Sequence, residues 1–197
     1  MSIFKYVCMS QTAEKTVLIV DDEEVVAESY ELYLEDKYET RTALTGGAAL
    51  AALNPNDREI DLILLDRRMP GMSGDVVAEH VDDYELEYQV IIVSAVDPDV
   101  DVATMPCDGY LSKPVSEEEV IEAVDKALLV DRYQELITEY NAVSERLDIL
   151  KQEFGATDTP SEITDLQATK QRLESEIEAT RDELADSNIG GAFNPLS

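Results

Sequence analysis

The sequence predicts an α/β fold, a doubly wound five-stranded parallel sheet followed by an α-helical hairpin. Three observations carry this expectation. From Thr16 to Val130 short apolar runs alternate with helical stretches, the pattern of repeated strand-helix crossovers. Three of the runs show no polar alternation, so helices are expected on both faces of the sheet. Beyond Val130 the apolar spacing becomes a heptad, in two stretches separated by a break containing glycine and proline.

The strands are read at Val17-Leu18-Ile19-Val20, at 38–43, at Leu62-Ile63-Leu64-Leu65, at Val90-Ile91-Ile92-Val93 and at Gly109-Tyr110-Leu111. Between them helices are expected at 23–35, 46–53 and 74–83, with a short acidic fourth at 97–104 and a fifth from Glu117 onward. Thr45 caps the second helix, so Thr45-Gly46-Gly47 is a helix start and not a phosphate cradle. The last helix begins at a capping box, Ser116 with Glu119, behind Lys113-Pro114. Its first stripe is Val120, Val124, Ala127 and Leu128.

After Val130 one seam position holds Tyr133, Tyr140, Leu147 and Phe154, and the other Leu136, Val143 and Leu150. This seam is rotated by roughly 140° from the earlier stripe, so one helix is expected to leave one core and enter another. The break at 155–161 carries a second capping box, Thr159 with Glu162. A second heptad follows at Ile163, Leu166, Leu173, Ile177 and Leu184, interrupted by Lys170 and Thr180. A connection this short suits an antiparallel hairpin. The expected organisation is a disordered lead-in at 1–15, the α/β domain at 16–130, the hairpin at 131–187 and a disordered tail at 188–197. Met9-Ser10 resembles a second start, which leaves Met1 and Met9 as alternative beginnings.

Composition narrows the function classes. The chain has 197 residues, 44 acids, 15 Lys and Arg, and a formal charge of -29. Such a charge opposes capture of nucleic acid phosphates. It suits concentrated salt, where a Debye length of about 3 Å at 1 M screens self-repulsion. Disorder is the rival reading of high charge, but 44% hydrophobic residues in dense runs require a core. Cys8 and Cys107 lack metal or disulfide spacing. No apolar run approaches the roughly 18 residues that span a bilayer, and no signal-peptide pattern opens the chain, so a cytoplasmic protein is expected.

The acids at strand ends carry the chemistry. Asp21 and Asp22 end the first run and Asp66 the third. Open parallel sheets bind ligands outside the carboxyl ends of their strands. If the strand order is 2-1-3-4-5, the first and third strands are neighbours and these carboxylates converge, an unstable cluster unless a cation joins it. Mg²⁺, a hard ion that favours oxygen ligands, suits the cluster. Ser94 and Lys113, after the fourth and fifth runs, would reach the same rim. A carboxylate nucleophile, a divalent cation and a lysine are the parts needed to accept a phosphoryl group.

Leu18-Ile19-Val20-Asp21-Asp22, the stretch Leu65-Asp66-Arg67-Arg68-Met69-Pro70-Gly71-Met72-Ser73-Gly74, Val93-Ser94-Ala95 and Tyr110-Leu111-Ser112-Lys113-Pro114 resemble response-regulator receiver domains over about residues 16–130. The resemblance implies the flavodoxin-like sheet order 2-1-3-4-5 and phosphorylation at Asp66 by a sensor histidine kinase. It makes Asp21, Asp22, Asp66 and the main-chain carbonyl of Arg68 the Mg²⁺ ligands. Ser94 and Lys113 become the phosphoryl-binding groups, and Ser94 and Tyr110 the switch residues. It also implies a cis Lys113-Pro114 bond. Nothing beyond self-catalysed transfer to Asp66 and autodephosphorylation is expected as enzyme activity. The chain departs from the family between Ser94 and Lys113, where Asp97-Pro98-Asp99-Val100-Asp101 predicts a short or frayed fourth helix. Arg68 is a second departure, and its long side chain is expected to hinder water attack on the phosphoryl group.

Residues 116–197 carry seven basic and twenty acidic side chains and no helix-turn-helix pattern, so direct DNA binding is disfavoured. With the acid-rich composition, the hairpin resembles the HalX appendage of haloarchaeal receivers. A two-helix seam containing tyrosines leaves one side wet, so a homodimer or a protein partner is expected on it. A transcription regulator touching DNA or the transcription machinery is the alternative. A haloacid-dehalogenase phosphatase would want an acid where Arg68 stands, and a flavodoxin a phosphate loop where Asp22-Glu23-Glu24 stand. His80, the only histidine, is read as a solvated helix residue.

Overall fold

The computed structural model describes residues 15–53, 60–83, 88–95, 105–154 and 161–186. Its elements are β1 (Thr16–Val20), α1 (Glu24–Leu34), β2 (Glu39–Ala43), α2 (Gly46–Ala52), β3 (Leu62–Asp66), α3 (Gly74–Asp83), β4 (Gln89–Ser94), β5 (Gly109–Ser112), α4 (Glu117–Phe154) and α5 (Ser161–Asp186). The lead-in before Lys15, the tail, the acidic stretch at 97–104 and the capping residue Thr159 lie outside the described residues.

The five strands form one parallel sheet in the order β2-β1-β3-β4-β5. Both faces of its central strands are buried, because alternate side chains serve two different cores. Leu18, Val20, Ile63, Leu65, Val90 and Ile92 pack on one face against Ala49 of α2 and Val77, Ala78 and Val81 of α3. Val17, Ile19, Leu62, Leu64, Ile91 and Val93 pack on the other against Ala27, Tyr30 and Leu34 of α1 and Val120, Val124 and Ala127 of α4.

β2 lies at an edge, which explains why its residues Glu39 to Thr42 are polar and largely exposed. It begins one residue later than expected. Tyr38 turns aside and donates its hydroxyl to Asp125 Oδ1 of α4 at 2.5 Å, while Lys37 Nζ bonds Asp125 Oδ2 at 2.9 Å. Lys15 also belongs to the folded part, since its ammonium pairs with Asp61 at 2.7 Å. Of the three helix caps expected from sequence, the two on described residues form. Thr45 Oγ1 accepts from Ala48 N at 3.1 Å, and the Ser116 amide donates to Glu119 Oε2 at 2.7 Å.

α4 is a single helix of 38 residues, roughly 57 Å long, that serves two cores. Its first turns bury Val120, Val124, Ala127 and Leu128 against the sheet. Leu136 and Leu147 are then buried in the seam with Ile163 and Leu173 of α5, and Tyr133, Tyr140, Val143 and Leu150 are half-buried. Each fully buried leucine or isoleucine contributes about 1.5–3 kcal/mol. Arg132 pairs with Glu176 at 3.0 Å and Arg146 with Glu162 at 2.6 Å, so the helices run antiparallel. Lys170, a polar interruption in the seam, lies 4.8 Å from the centre of the Tyr140 ring. Its charge therefore stays in contact with a π face instead of being buried alone.

Candidate functional site

The carboxyl ends of β1, β3 and β5 bring Asp21, Asp66 and Lys113 together. Asp21 follows β1, and its side chain is only 2% exposed. Asp66 is the last residue of β3, with its side chain 10% exposed, and can be reached from solvent. Lys113 follows β5 and bridges the two, its Nζ standing 2.8 Å from Asp21 Oδ2 and 2.6 Å from Asp66 Oδ1. Burial disfavours the ammonium, but the hydrogen bonds to Asp21 and Asp66 outweigh it and raise the Lys113 pKa above the ordinary lysine value.

Backbone donors fix the remaining oxygens. Arg68 N donates to Asp66 Oδ2 at 2.8 Å and Glu23 N to Asp21 Oδ1 at 2.9 Å. Ser94, the last residue of β4, is buried, and its carbonyl accepts from Lys113 N at 2.7 Å. The Lys113-Pro114 bond is cis. Tyr110 is 2% exposed, its ring inside the core between the sheet and α3.

The expected residues do not all behave alike. Asp22 is exposed, unlike its neighbour Asp21, and the Arg68 side chain is exposed as well. Among the described residues no three acid, histidine or cysteine side chains already stand together as a ligand set. What is assembled is a pair of carboxylates sharing one ammonium, which leaves one net negative charge and hard oxygen donors at a rim. That donor chemistry fits Mg²⁺. His80 lies in the last turn of α3 and is half-buried, so the solvated reading is too simple for it. Cys107 packs against the core, and its thiol is pushed up to about 11, first by burial.

Three participants escape sequence reading. Tyr30 is buried on α1, and its hydroxyl is pushed up to about 12, first by burial and with Lys113, Asp21 and Asp66 acting on it electrostatically. Its only signal is the helical spacing Ala27, Tyr30, Leu34. Gly74 opens α3 against the backbone of Asp66. Arg67, next to Asp66, is 9% exposed and directs its Nε to Asp75 Oδ1 at 3.0 Å.

The profile of the response regulator receiver domain matches residues 17–125. The chain belongs to this family. This receiver is 36% identical over 171 residues to a candidate transcriptional regulator of Haloferax volcanii, a match covering 86% of the chain and 29% of that protein. It is 37% identical over 116 residues to the regulatory protein VanR of Enterococcus faecium, covering 57% of the chain and 49% of VanR. The chain thus spans less than a third and about half of these two relatives.

Among solved structures, the receiver resembles a CheY-like receiver domain from Methanospirillum hungatei with TM-score 0.57 and 26% identity. That match covers 62% of this chain and 99% of the other. It also resembles the response regulator TrrA of Thermotoga maritima, solved in complex with Mg²⁺-BeF. There the TM-score is 0.51 and the identity 32%, covering 57% of this chain and 98% of TrrA. No helix among the described residues is long and apolar enough to cross a membrane.

Proposed function

We propose that this receiver accepts a phosphoryl group from the phosphohistidine of a sensor kinase on Asp66 and signals through its C-terminal hairpin. The observation that carries the proposal is Lys113 bridging Asp21 and Asp66. Asp66 supplies the attacking carboxylate oxygen. A P–O bond forms as the P–N bond breaks, and the electron pair returns to the imidazole of the donor. Lys113 and Ser94 hold the phosphoryl oxygens, and Lys113 then bonds to the phosphoryl group instead of to the bare Asp66 carboxylate.

Asp21, Asp22, Asp66 and the main-chain carbonyl of Arg68 would hold Mg²⁺, which when bound neutralises phosphoryl oxygens during transfer. The Mg²⁺-BeF complex of TrrA supports this assignment by similarity. The reaction is a self-modification and not turnover of an external substrate. Tyr110 reports the phosphorylated state to the surface.

The hairpin is read as HalX-like. The Haloferax match is longer than the receiver profile and must extend well past residue 125, which supports a unit shared with a haloarchaeal relative. Its output is dimerisation or capture of a protein partner, transmitted along α4. The description of that relative favours a transcriptional role as second reading. Twenty acids against seven basic residues from 116 onward favour contact with the transcription machinery over contact with DNA.

The test is the molar mass by light scattering in about 2–3 M KCl with Mg²⁺, where repulsion is screened. Wild type and Asp66→Ala are measured with and without beryllofluoride. A mass change in wild type alone is expected. A change that persists in Asp66→Ala overturns the phosphoacceptor assignment, and a constant mass in all four samples overturns the dimerisation output.

A further inference from the structure

We propose that the hydrogen bond from Tyr38 to Asp125 is a roll stop for α4: it fixes the angle of that helix about its own axis, and with it the side of the receiver on which α5 lies. This role is independent of the chemistry at Asp66.

The corner that supplies the bond is rigid. Lys37 N and Tyr38 N both donate to Leu34 O at 2.9 Å, and Leu34 is fully buried. The Tyr38 ring packs on the core formed by α1, α4 and the sheet. Its hydroxyl donates to Asp125 Oδ1 at 2.5 Å, and Lys37 Nζ adds a bond to Oδ2 at 2.9 Å. Burial, and after it the bond to Asp125, raise the Tyr38 pKa above the ordinary tyrosine value, so the hydroxyl stays a donor. The Lys37 and Asp125 side chains are 49% and 43% exposed, which leaves their ion pair weak in salt and the tyrosine bond as the main tie.

Val120, Val124, Ala127 and Leu128 meet the sheet along one stripe, and a stripe alone lets a helix roll as a cylinder rolls on a plane. Asp125 stands roughly 100° around the helix from Val124 and is held from the side. An open groove of about 560 Å³, lined by Lys37, Ser116, Ile121 and Asp125 among others, runs there, so close packing does not block the roll.

The same face of α4 carries the hairpin. Leu136 and Leu147, buried in the seam, lie within roughly 20° and 40° of Asp125 around the axis, so α5 covers the face that Tyr38 holds. Arg132 pairs with Glu176, and α5 runs on to Asp186, about 15 Å further back along α4, which brings its end level with Asp125. With helix axes about 8–10 Å apart, a roll of about 20° would carry α5 sideways by roughly 3 Å. Tyr38 and Asp125 are thus positioning residues for the hairpin.

The test reads distances between spin labels in the full chain, unphosphorylated and in molar KCl. Cys8→Ala and Cys107→Ala remove the native thiols. Nitroxides are attached through Ala179→Cys on α5 and either Glu28→Cys on α1 or Glu79→Cys on α3, all exposed positions. Pulsed electron paramagnetic resonance is recorded for this parent and for Tyr38→Phe, Asp125→Ala and Glu122→Ala in it, beside the melting temperature of each. Glu122→Ala removes an exposed carboxylate of the same helix and leaves the Tyr38 bond intact.

In Tyr38→Phe and Asp125→Ala at least one distance to Ala179 is expected to shift by roughly 3 Å or to broaden about twofold, with Glu122→Ala like the parent. A bond that merely stabilises the receiver lowers the melting temperature and leaves both distances in place, and that result overturns the roll stop. A shift of equal size in Glu122→Ala overturns it too, because net charge would then set the angle. Should Asp125→Ala fail to fold, Tyr38→Phe, which keeps the ring in the core, decides alone.

Discussion

A Cβ on Gly74 would stand 2.3 Å from the main-chain oxygen of Asp66 and 3.0 Å from the Cα of Arg67. The first residue of α3 therefore rests directly on the backbone at the end of β3, and both neighbours are main-chain atoms that cannot rotate away. Gly74→Ala must displace α3 or the end of β3. We expect a loss of about 1–3 kcal/mol, the usual cost of overpacking, together with slower phosphoryl acceptance. Denaturant titration in molar KCl checks the first and transfer from a small-molecule phosphodonor the second. An unchanged midpoint would show that the loop has slack the structure does not display.

Lys113 holds two acids of like charge side by side. In Lys113→Met the Asp21 and Asp66 carboxylates lose their shared cation in a site where the Asp21 side chain is 2% exposed. Breaking a fully buried pair costs about 3–5 kcal/mol, and the 20% exposure of the lysine side chain should make the loss smaller. A divalent cation becomes the only compensation, so Mg²⁺ should raise the melting temperature more in Lys113→Met than in wild type. Thermal melts with and without Mg²⁺ decide this. An equal Mg²⁺ effect in both proteins would mean that the ion does not share the Asp21–Asp66 site.

The parts of the pocket that stand at ends of apolar runs were legible in the sequence. Asp21, Asp66 and Ser94 follow or end buried strands, and a parallel sheet can only place such residues at one rim. The seam of the hairpin was legible too, because heptad spacing selects Leu136, Leu147, Ile163 and Leu173 without reference to tertiary structure. Arg67 was not. A charged residue after a strand ordinarily faces water, whereas Arg67 is 9% exposed and bonds Asp75. The difference between Asp21 and Asp22 was equally hidden. Side-chain alternation at the strand end buries one and exposes the other, whereas the dipeptide offers two identical acids.

Arg68 has an exposed side chain, while its amide donates to Asp66 Oδ2. With Asp66 as the proposed phosphoacceptor, the long side chain two residues later is expected to take space that attacking water needs. Arg68→Ala should therefore shorten the lifetime of the aspartyl phosphate while leaving the amide hydrogen bond, and hence phosphoryl acceptance, unchanged. Decay of the phosphorylated protein followed by phosphate-affinity electrophoresis measures this. A lifetime equal to or longer than that of wild type refutes the role of the side chain.

Ser116 and Glu119 close the start of α4 by three hydrogen bonds, two from the amide and hydroxyl of Ser116 to the Glu119 carboxylate and one from the Glu119 amide to Ser116 Oγ. The bond from the Ser116 amide, followed by that from its hydroxyl, holds the Glu119 carboxyl below the ordinary glutamate value. A carboxyl depressed in the folded state contributes stability above its unfolded pKa, and that contribution is lost as pH falls through the folded pKa. Ser116→Ala should cost about 1 kcal/mol near neutrality. The difference between wild type and variant should narrow in acid, as measured by denaturant titrations across that range. A difference independent of pH would assign the loss to the hydroxyl cap alone.

Charge decides the last expectation. A formal charge of -29 produces repulsion that a Debye length of about 10 Å at 0.1 M leaves largely in force and one of about 3 Å at 1 M removes. Salt also weakens surface pairs such as Arg146–Glu162 and Arg132–Glu176, but exposed pairs contribute only about 0–1 kcal/mol each. Acids outnumber Lys and Arg 44 to 15, so most carboxylates have no cation to lose, and relief of repulsion should dominate. The midpoint of thermal unfolding should therefore rise steeply between dilute buffer and molar KCl. It should rise far less with sucrose, which favours the compact state through exclusion and not through screening. The hairpin, with its long acidic helices and narrow seam, should loosen first on dilution, seen as loss of helical circular dichroism before the sheet core melts. Equal melting temperatures across that range would mean that the acids are spaced too widely for their repulsion to matter.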